Sequence, residues 1–342
     1  ALLLTKPSNF SWFTVGGDSS RGQANDVTAA LFLTQDARVI ATRNTDSSQI
    51  FDREISGLGF QLKERLWQED REVLMGDLCR GRNVACDYPF EHCVDASVHL
   101  RNMRLPLSKL EVRNLRETGA QIAHAVEATA RTLQQGESET EIAGQLAHRM
   151  LRHNIWPERL QIFCDGQSQR YRHWSFSADP VEKLCTLLAI GRRNGLHVGV
   201  SRTVCFGACP TEAREMYLSN LLVQATGMFF AQTDWEIHEA WKRIERIYEK
   251  YGHSEEWHVA DQGCLTGYEL CEAPITPTSQ FRLEAGMPVF LCPSISTAMA
   301  ADTILIKTKG FEVVTPMESW PQIEVDVKGV KIPRPDVLIR PE

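Results

Sequence analysis

Short apolar runs alternate with polar segments over the N-terminal third of the chain. The apolar runs Ala29–Thr34 and Val39–Thr42 flank a short polar stretch, a pattern that predicts a β-hairpin. Leu62 and Leu66 have helical spacing within Gln61–Met75, so we expect helix there. Strand and helix signals that alternate in this way predict a small α/β domain.

The pattern changes after Pro106, where long amphipathic helices begin. Ser108 is followed three residues later by Glu111, and Ser138 by Glu141 in the same way. This is the spacing of a capping box, in which the hydroxyl and the carboxylate satisfy free backbone donors at a helix start. Each pair precedes an apolar stripe with helical periodicity, so the sequence predicts two long helices in tandem.

These two helices mark the start of a second domain. We predict an N-terminal α/β domain over residues 1–107 and a larger domain over residues 108–342. In the larger domain, Leu184–Ile190 and Leu196–Phe206 are typical of buried strands, and Asp234–Lys250 is typical of an amphipathic helix. The final third of the chain is rich in strand signals.

Composition and charge narrow the possible functions. The 342 residues are 43% hydrophobic and 24% charged, which is typical of a globular protein. A formal net charge of −7 disfavours binding to nucleic acid or to an anionic membrane through charge. The longest apolar run, around Leu184–Ile190, is far shorter than the roughly 20 residues that a membrane helix needs. We therefore expect neither a nucleic-acid partner nor a membrane partner.

The 10 cysteines favour free thiols over disulfides. A chain of this length can bury a large core and does not need the cross-links of a small secreted scaffold. The sequence contains no CxxC pair, so a structural zinc site has little support. We expect a reducing, cytoplasmic location.

Several segments, taken in order, resemble the pita-bread metallopeptidases, which include methionine aminopeptidases, Xaa-Pro aminopeptidases, prolidases and creatinase. The segments that carry the resemblance are Trp12–Gly17, Ser201–Gly207, Glu272–Pro274, Gly286–Pro293 and Gly310–Thr315. The resemblance implies an α+β protein, with a pita-bread C-terminal domain and a smaller α/β N-terminal domain. Because relatives in the prolidase and creatinase branch form homodimers, it also implies a homodimer.

In that family, two metal ions are held by two Asp, one His and two Glu. By resemblance, the four acidic positions fall on Leu188 or Ala189, on Gly199, on Cys292 and on Ala301. None of these residues has a carboxylate, and no histidine stands at the position expected for the His ligand. Paired divalent ions need such donors to balance their charge. The sequence therefore predicts that the dinuclear metal site is lost, and it predicts no cofactor.

Three residues match other family positions. His173 matches a histidine just ahead of the first ligand strand, which shuttles a proton, or acts without a metal in creatinase, so the resemblance implies a catalytic role. Arg202 matches a family arginine and Glu272 an acidic position near the substrate, so the resemblance implies substrate binding for both. The alternatives are a solvated loop histidine for His173, and supporting ion-pair or hydrogen-bond roles for Arg202 and Glu272.

A second group of side chains could meet in the same pocket: His258, Asp261, Cys264, Cys271, Glu272 and Cys292. They could form a substitute single-metal site with thiolate ligands. Alternatively, the cysteines could act as small apolar residues that fill space left by larger ligands. We favour the second interpretation.

Three functions remain open for such a chain. It could be a metal-dependent Xaa-Pro peptidase, which the missing ligands count against. It could be a metal-independent hydrolase of creatinase type that uses His173 to cleave a C–N bond. It could also be an inactive relative that binds a small molecule, a peptide or a protein. We expect a hydrolase-family protein of Xaa-Pro dipeptidase or aminopeptidase type without the metal pair, with a small-molecule or peptide ligand.

Overall fold

A computed structural model describes residues 1–21, 27–90, 92–166 and 171–341. The chain forms two compact units. Unit 1 contains residues 1–105 and 193–196, and unit 2 contains residues 106–192 and 197–342. The predicted division into two domains, at residues 107 and 108, stays a prediction.

Unit 1 is built on a mixed six-stranded sheet. Its elements, in chain order, are β1 (Leu2–Leu4), α1 (Pro7–Thr14), β2 (Ala29–Leu33), β3 (Arg38–Arg43), α2 (Ser47–Gln49), a π-helical turn (Ile50–Glu54), β4 (Gln61–Arg65), α3 (Arg71–Cys79), β5 (Ala85–Cys86), β6 (Val94–Asp95) and α4 (Ser97–Arg104). The strand order is β4-β3-β2-β1-β5-β6. Separate clusters of buried apolar side chains pack around Leu3 and around Leu4, which are successive residues of β1.

The predicted hairpin is confirmed, whereas the helix predicted at Gln61 is wrong. Strands β2 and β3 pair in antiparallel fashion, with Leu31 opposite Ile40. Gln61–Arg65 is an edge strand parallel to β3, and the helix begins only at Arg71. The side chain of Leu62 is exposed, so its helical spacing to Leu66 marks no buried face. Backbone pairing with β3 therefore decides the structure of this segment.

Unit 2 opens with two helices and continues as strands and helices. Its elements are α5 (Lys109–Thr132), α6 (Glu139–Leu151), β7 (Trp156–Cys164), β8 (Leu184–Arg193), β9 (Leu196–Phe206), α7 (Thr211–Phe230), α8 (Ile237–Lys250), a 3-10 turn (Glu256–His258), β10 (Gly263–Leu265), β11 (Ala273–Pro274), β12 (Pro288–Leu291), β13 (Ser294–Ile295), β14 (Ala298–Met299), β15 (Asp302–Ile306), β16 (Phe311–Val313), β17 (Gln322–Val327), β18 (Val330–Pro335) and β19 (Leu338–Arg340).

Both predicted capping boxes are confirmed. The Ser108 backbone N–H donates to Glu111 Oε2 at 2.7 Å, and the Glu111 N–H donates to Ser108 Oγ at 3.4 Å. Ser138 and Glu141 form the same reciprocal pair at the start of α6. These local contacts fix where the two tandem helices begin because they satisfy backbone donors that have no partner within the helix.

Two sheets of unit 2 frame the cavity described below. One has the order β19-β9-β8-β7, and the other has the order β11-β10-β12-β15-β16. Every residue of β9 is buried, as predicted for this strand, including the polar residues His197, Ser201, Arg202 and Thr203. The sheets approach closely at Gly199 of β9, whose N–H donates to Thr303 Oγ1 of β15 at 2.9 Å.

Helix α8 presents the apolar face that its periodicity predicted. Ile237, Trp241, Ile244 and Tyr248 are all buried. Throughout the described residues, the helices are too short or too polar to cross a membrane.

Candidate functional site

A small cavity lies in unit 2 beside the segment that carries His173. Its volume is about 140 Å³, and we call it the His173 cavity. An apolar cavity of roughly 150 Å³ holds a molecule the size of benzene, so this one suits a small ligand. Its polar lining includes Arg159, Gln161, Arg172, His173 and Asp261.

The floor of the His173 cavity is apolar. Leu188 and Ile190 of β8, Phe290 of β12 and Met299 of β14 line it, and they belong to one buried cluster that also contains Ala301. This floor occupies the region in which the resemblance expects carboxylates. An apolar surface of this kind favours carbon and sulfur contacts over charged groups.

Phe290 fills the space in front of Gly199. A Cβ atom added at Gly199 would lie 2.4 Å from Phe290 Cε2, a distance at which the ring has to move. Any larger side chain at this position, a carboxylate included, would therefore collide with the ring. The glycine and the ring together close the part of the sheet where the resemblance places a metal ligand.

Asp302, next to Ala301, points away from the cavity. Its Oδ1 lies 3.1 Å from Arg202 Nη1, and its Oδ2 accepts a hydrogen bond from Arg334. Successive residues of a strand face opposite sides of the sheet, which explains why Ala301 joins the apolar floor while Asp302 does not. Across the described chain, no group of three or more His, Cys, Asp or Glu side chains is arranged to hold a metal ion.

His173 stands at the rim of the cavity beside a carboxylate. Its Nε2 lies 3.3 Å from Asp261 Oδ1. The two side chains are 65% and 66% exposed, so solvent reaches both groups. A carboxylate at this distance can orient the ring. The pair has the elements of an oriented acid–base group beside a ligand-sized space.

The residues on either side of His173 are firmly anchored. Arg172 Nη2 lies 2.7 Å from Glu256 Oε2, and Trp174 Nε1 donates to Glu139 Oε2 at 3.0 Å. These contacts hold the backbone of the segment, so His173 projects from a fixed base. The indole of Trp174 thus contributes an anchor of its own.

Glu139 is the main anchor of this segment. It is fully buried at the first position of α6. Besides Trp174, it accepts hydrogen bonds from the backbone N–H groups of Cys164, at 3.0 Å, and Ser177, at 2.7 Å. Its place in the first turn of a helix also favours a negative charge.

Arg202 lies in a buried charge network outside the lining of the His173 cavity. Its side chain has no exposed area, and its Nε lies 3.2 Å from Glu127 Oε1. Its Nη2 donates to the Thr315 carbonyl at 3.3 Å. Together with Asp302, these groups use its donors. The substrate-binding role expected for Arg202 stays a prediction, and its surroundings are those of a structural ion pair.

Glu272 is also buried and lies outside the cavity lining. Its Oε1 accepts a hydrogen bond from the Glu269 backbone N–H at 3.0 Å. Its own N–H donates to the Leu265 carbonyl at 2.8 Å, which closes the loop between β10 and β11. The substrate-binding role of Glu272 likewise stays a prediction.

The second predicted group of side chains meets only in part. Asp261, Cys264, Cys271 and Cys292 line the cavity with His173, but His258 lies outside the lining and stacks on Trp257 at 3.7 Å. All 10 cysteines are free. Burial raises the pKa of Cys292 to about 12, so it acts as a small protonated thiol.

Arg159 and the pairing of His173 with Asp261 were missed by the sequence analysis. Arg159, Gln161 and Phe163 alternate along β7 and turn one face toward the cavity and its apolar floor. This period-two pattern is visible in the sequence and could have identified Arg159 as a pocket residue. The contact between His173 and Asp261 joins two loops and leaves no such pattern.

Several solved structures resemble between 85% and 100% of the chain. The prolidase from Pyrococcus horikoshii OT3 is 17% identical, with a TM-score of 0.78 over 93% of this chain and 94% of that one. The dipeptidase PepE from Mycobacterium ulcerans is 16% identical, with a TM-score of 0.78 over 100% and 93%. The N-terminal domain of the FACT complex subunit SPT16 from chickpea (Cicer arietinum) is 12% identical, with a TM-score of 0.64 over 85% and 84%.

These likenesses confirm the predicted α+β pita-bread fold. A comparison with curated proteins gave no match. The model of one protein family, metallopeptidase family M24, matches residues 113–329, which is more than half of the 342 residues. The chain therefore belongs to metallopeptidase family M24.

Proposed function

We propose that this chain is a metal-independent hydrolase that cleaves a C–N bond in a small amide or guanidino compound bound in the His173 cavity. The observation that carries the proposal is the 3.3 Å contact between His173 Nε2 and Asp261 Oδ1 at the rim of that cavity. It supplies the second polar group that a metal-free mechanism needs beside the histidine.

The apolar floor supports a mechanism without paired metal ions. Two divalent cations need several carboxylates close by, because burial of uncompensated charge is very costly. Leu188, Phe290 and Ala301 offer no donor side chain, and Phe290 blocks the space in front of Gly199. The donor set of this cavity therefore does not fit the dinuclear centre that the family name implies.

In the proposed reaction, His173 carries the proton. Neutral His173 accepts a proton from an attacking water through Nδ1, the ring nitrogen that does not face Asp261, and the resulting imidazolium donates it to the leaving nitrogen. Asp261 holds the ring in place and stabilises the imidazolium through its negative charge. Both groups are open to solvent, which allows a water molecule to reach the imidazole.

The ligand is expected to carry a negative charge. Arg159 is half-buried, lines the cavity, and has no ion-pair partner among the described residues. A carboxylate or a similar group on the ligand would satisfy its donors. Arg202 and Glu272 would affect the ligand site indirectly. Arg202 would act through the buried charge network that it forms with Glu127 and Asp302, and Glu272 through the loop that bears Cys271.

The test is turnover by protein that has been purified with a chelator. Wild-type protein, His173→Gln and Asp261→Asn are assayed against creatine, other small amide and guanidino carboxylates, and Xaa-Pro dipeptides. Loss of general acid–base catalysis typically lowers the rate by about 10²- to 10⁴-fold, and we expect a loss in this range for His173→Gln. Asp261→Asn is expected to lower kcat by a smaller factor.

The chain offers a matched control in a second exposed histidine–carboxylate pair. His124 Nδ1 lies 2.9 Å from Glu318 Oε2, with side chains 55% and 47% exposed. His124→Gln should leave turnover unchanged. Unchanged turnover in His173→Gln would remove His173 from the mechanism. Two equivalents of tightly bound manganese, cobalt or zinc in active protein would refute the metal-free proposal.

The second candidate function is ligand binding without catalysis. The apolar floor and the high exposure of His173 and Asp261 favour it, because catalytic groups act most strongly where water is excluded. A pita-bread-like fold also occurs in a subunit of the FACT complex. Calorimetric binding of a panel compound to the wild-type chain, with no turnover of any panel compound, would establish this alternative.

The proposal also includes the oligomeric state of the chain and its location in the cell. We expect a homodimer, as the family resemblance implies, and a cytoplasmic location, as the free cysteines imply. Light scattering after size-exclusion chromatography would give twice the chain mass of 38.7 kDa for a dimer.

A further inference from the structure

Two cysteines with different surroundings line the His173 cavity from one loop. Cys264 lies in strand β10, and Cys271 lies at the end of the loop that leads to β11. Cys264 is buried, whereas Cys271 is exposed. The Cys264 Sγ lies 3.2 Å from the backbone carbonyl oxygen of Leu270, the residue that precedes Cys271. An exposed cysteine therefore lies beside a buried thiol at the wall of a cavity.

Their surroundings make the two thiols chemically unequal. The Cys264 side chain lowers the pKa of Cys271, whereas the Cys271 side chain and then burial raise the pKa of Cys264. The Leu270 carbonyl oxygen, an acceptor for the Cys264 thiol, also favours its protonated form. Since the thiolate is the nucleophile, Cys271 is the residue that reacts first.

We propose that Cys264 and Cys271 form a reversible dithiol–disulfide couple at the wall of the His173 cavity, in which a peroxide attacks exposed Cys271 and buried Cys264 resolves the product. The proposal does not depend on hydrolysis at His173. It assigns a modification site to two residues that the proposed reaction does not use.

The chemistry balances in two steps. The Cys271 thiolate attacks one oxygen of hydrogen peroxide, the O–O bond breaks, and a sulfenic acid forms while the other oxygen leaves as water after protonation. The Cys264 sulfur then attacks the Cys271 sulfur, an S–S bond forms, and the sulfenic hydroxyl leaves as a second water. The two thiols lose two electrons and two protons in total, and the peroxide accepts them.

The disulfide would change the cavity wall. The loop between the two cysteines contains Gly267, Tyr268 and Glu269, and its ends would become covalently joined. The Tyr268 hydroxyl already donates to buried Glu111 at 2.7 Å, so one side of the loop is held in the core. Oxidation would fix the other side and replace two lining thiols by one S–S group.

Peptide mapping of the oxidised full chain tests the proposal. Reduced protein is treated with limiting hydrogen peroxide, blocked with N-ethylmaleimide and digested without reductant. We expect a cross-link between Cys264 and Cys271 that dithiothreitol reverses. In Cys264→Ser, dimedone should trap a sulfenic acid on Cys271. In Cys271→Ser, Cys264 should stay unmodified.

Two other cysteine pairs serve as controls. Cys164 and Cys185 lie directly opposite each other on the paired strands β7 and β8, but both are buried. The sulfurs of Cys79 and Cys93 lie 3.9 Å apart outside the cavity. We expect both pairs to oxidise at least about tenfold more slowly than Cys264 and Cys271, because thiolate character and exposure control reactivity.

The outcomes separate the proposal from its alternatives. If Cys164–Cys185 or Cys79–Cys93 cross-links at the same rate or faster, the proposed selectivity is wrong. If Cys271 forms only a sulfenic acid in the wild-type chain, Cys264 is not its resolving partner and the couple does not exist. Circular dichroism of both serine variants shows whether each one is folded, so a loss of cross-linking is not mistaken for unfolding.

Discussion

Replacement of Asp302 by asparagine removes a negative charge from the centre of a buried network. Asp302 contacts Arg202, Arg334 and Thr315, with the Thr315 hydroxyl donating to its Oδ1 at 2.8 Å. Glu127 completes the set at 3.2 Å from Arg202. Two acidic and two guanidinium groups therefore balance where the side chains are 0–1% exposed.

The loss of stability in Asp302→Asn depends on the Arg334 guanidinium, which stays buried after its charged partner is removed. Without the Asp302 carboxylate, the side-chain partners of Arg334 among the described residues are Gln224 Oε1, at 3.1 Å, and the Met228 sulfur, neither of which is charged. Burial already lowers the pKa of Arg334, which shows that the surroundings disfavour its charge. Removal of one partner of a buried ion pair destabilises a protein by about 3–5 kcal/mol, and we expect this range for Asp302→Asn.

Urea unfolding followed by tryptophan fluorescence measures the change. The urea concentration at the midpoint should fall while the slope stays unchanged, since a changed slope would indicate a different unfolding reaction. Glu312→Gln is the matched control because Glu312 forms a solvent-exposed pair with Arg116 at 2.6 Å. Exposed pairs of this kind contribute about 0.2–1 kcal/mol.

A double variant tests whether the unpaired charge of Arg334 causes the loss of stability. If the unpaired Arg334 charge causes the loss, Asp302→Asn combined with Arg334→Met should be more stable than the sum of the two single effects predicts, by about 1–3 kcal/mol. Additive effects, or a loss below about 1 kcal/mol for Asp302→Asn alone, would refute the reasoning.

Two further predictions concern the core of unit 2. Burial lowers the pKa of His197, whose Nδ1 lies 3.0 Å from the Gly267 carbonyl oxygen. The unfolded chain therefore binds a proton at His197 more readily than the folded chain does. The contribution of neutral His197 to the free energy of unfolding is thus complete above the unfolded pKa of about 6.5 and is lost as the pH falls below it. Urea midpoints between pH 7.5 and pH 5 (chosen to span about 6.5) should therefore fall less for His197→Asn than for the wild type. Gly199→Ala should destabilise the chain by about 1–3 kcal/mol through contact with Phe290, and Phe290→Leu should relieve part of that loss. Thermal melts of the single and double variants check this, and a neutral Gly199→Ala would contradict it.

Local patterns in the sequence determined many elements of this fold. The reciprocal contacts of Ser108 with Glu111 and of Ser138 with Glu141 span three residues each, so the sequence alone fixes these helix starts. The same is true of the buried face of α8 and of the hairpin formed by β2 and β3. The order of the motifs also identified the family.

The tertiary structure decided the site. His173 and Asp261 are 88 residues apart by their numbers, and only the packing of two loops brings them to 3.3 Å. Arg202 and Asp302 are likewise 100 residues apart, and only tertiary packing brings them into one buried ion pair. Local propensity and periodicity act over a few residues, whereas these contacts depend on how separate strands and loops pack. The sequence by itself therefore determined the helix starts, the strands with clear periodicity and the family. Only the folded chain decided which side chains face the cavity, because a side chain's partners depend on elements distant in sequence.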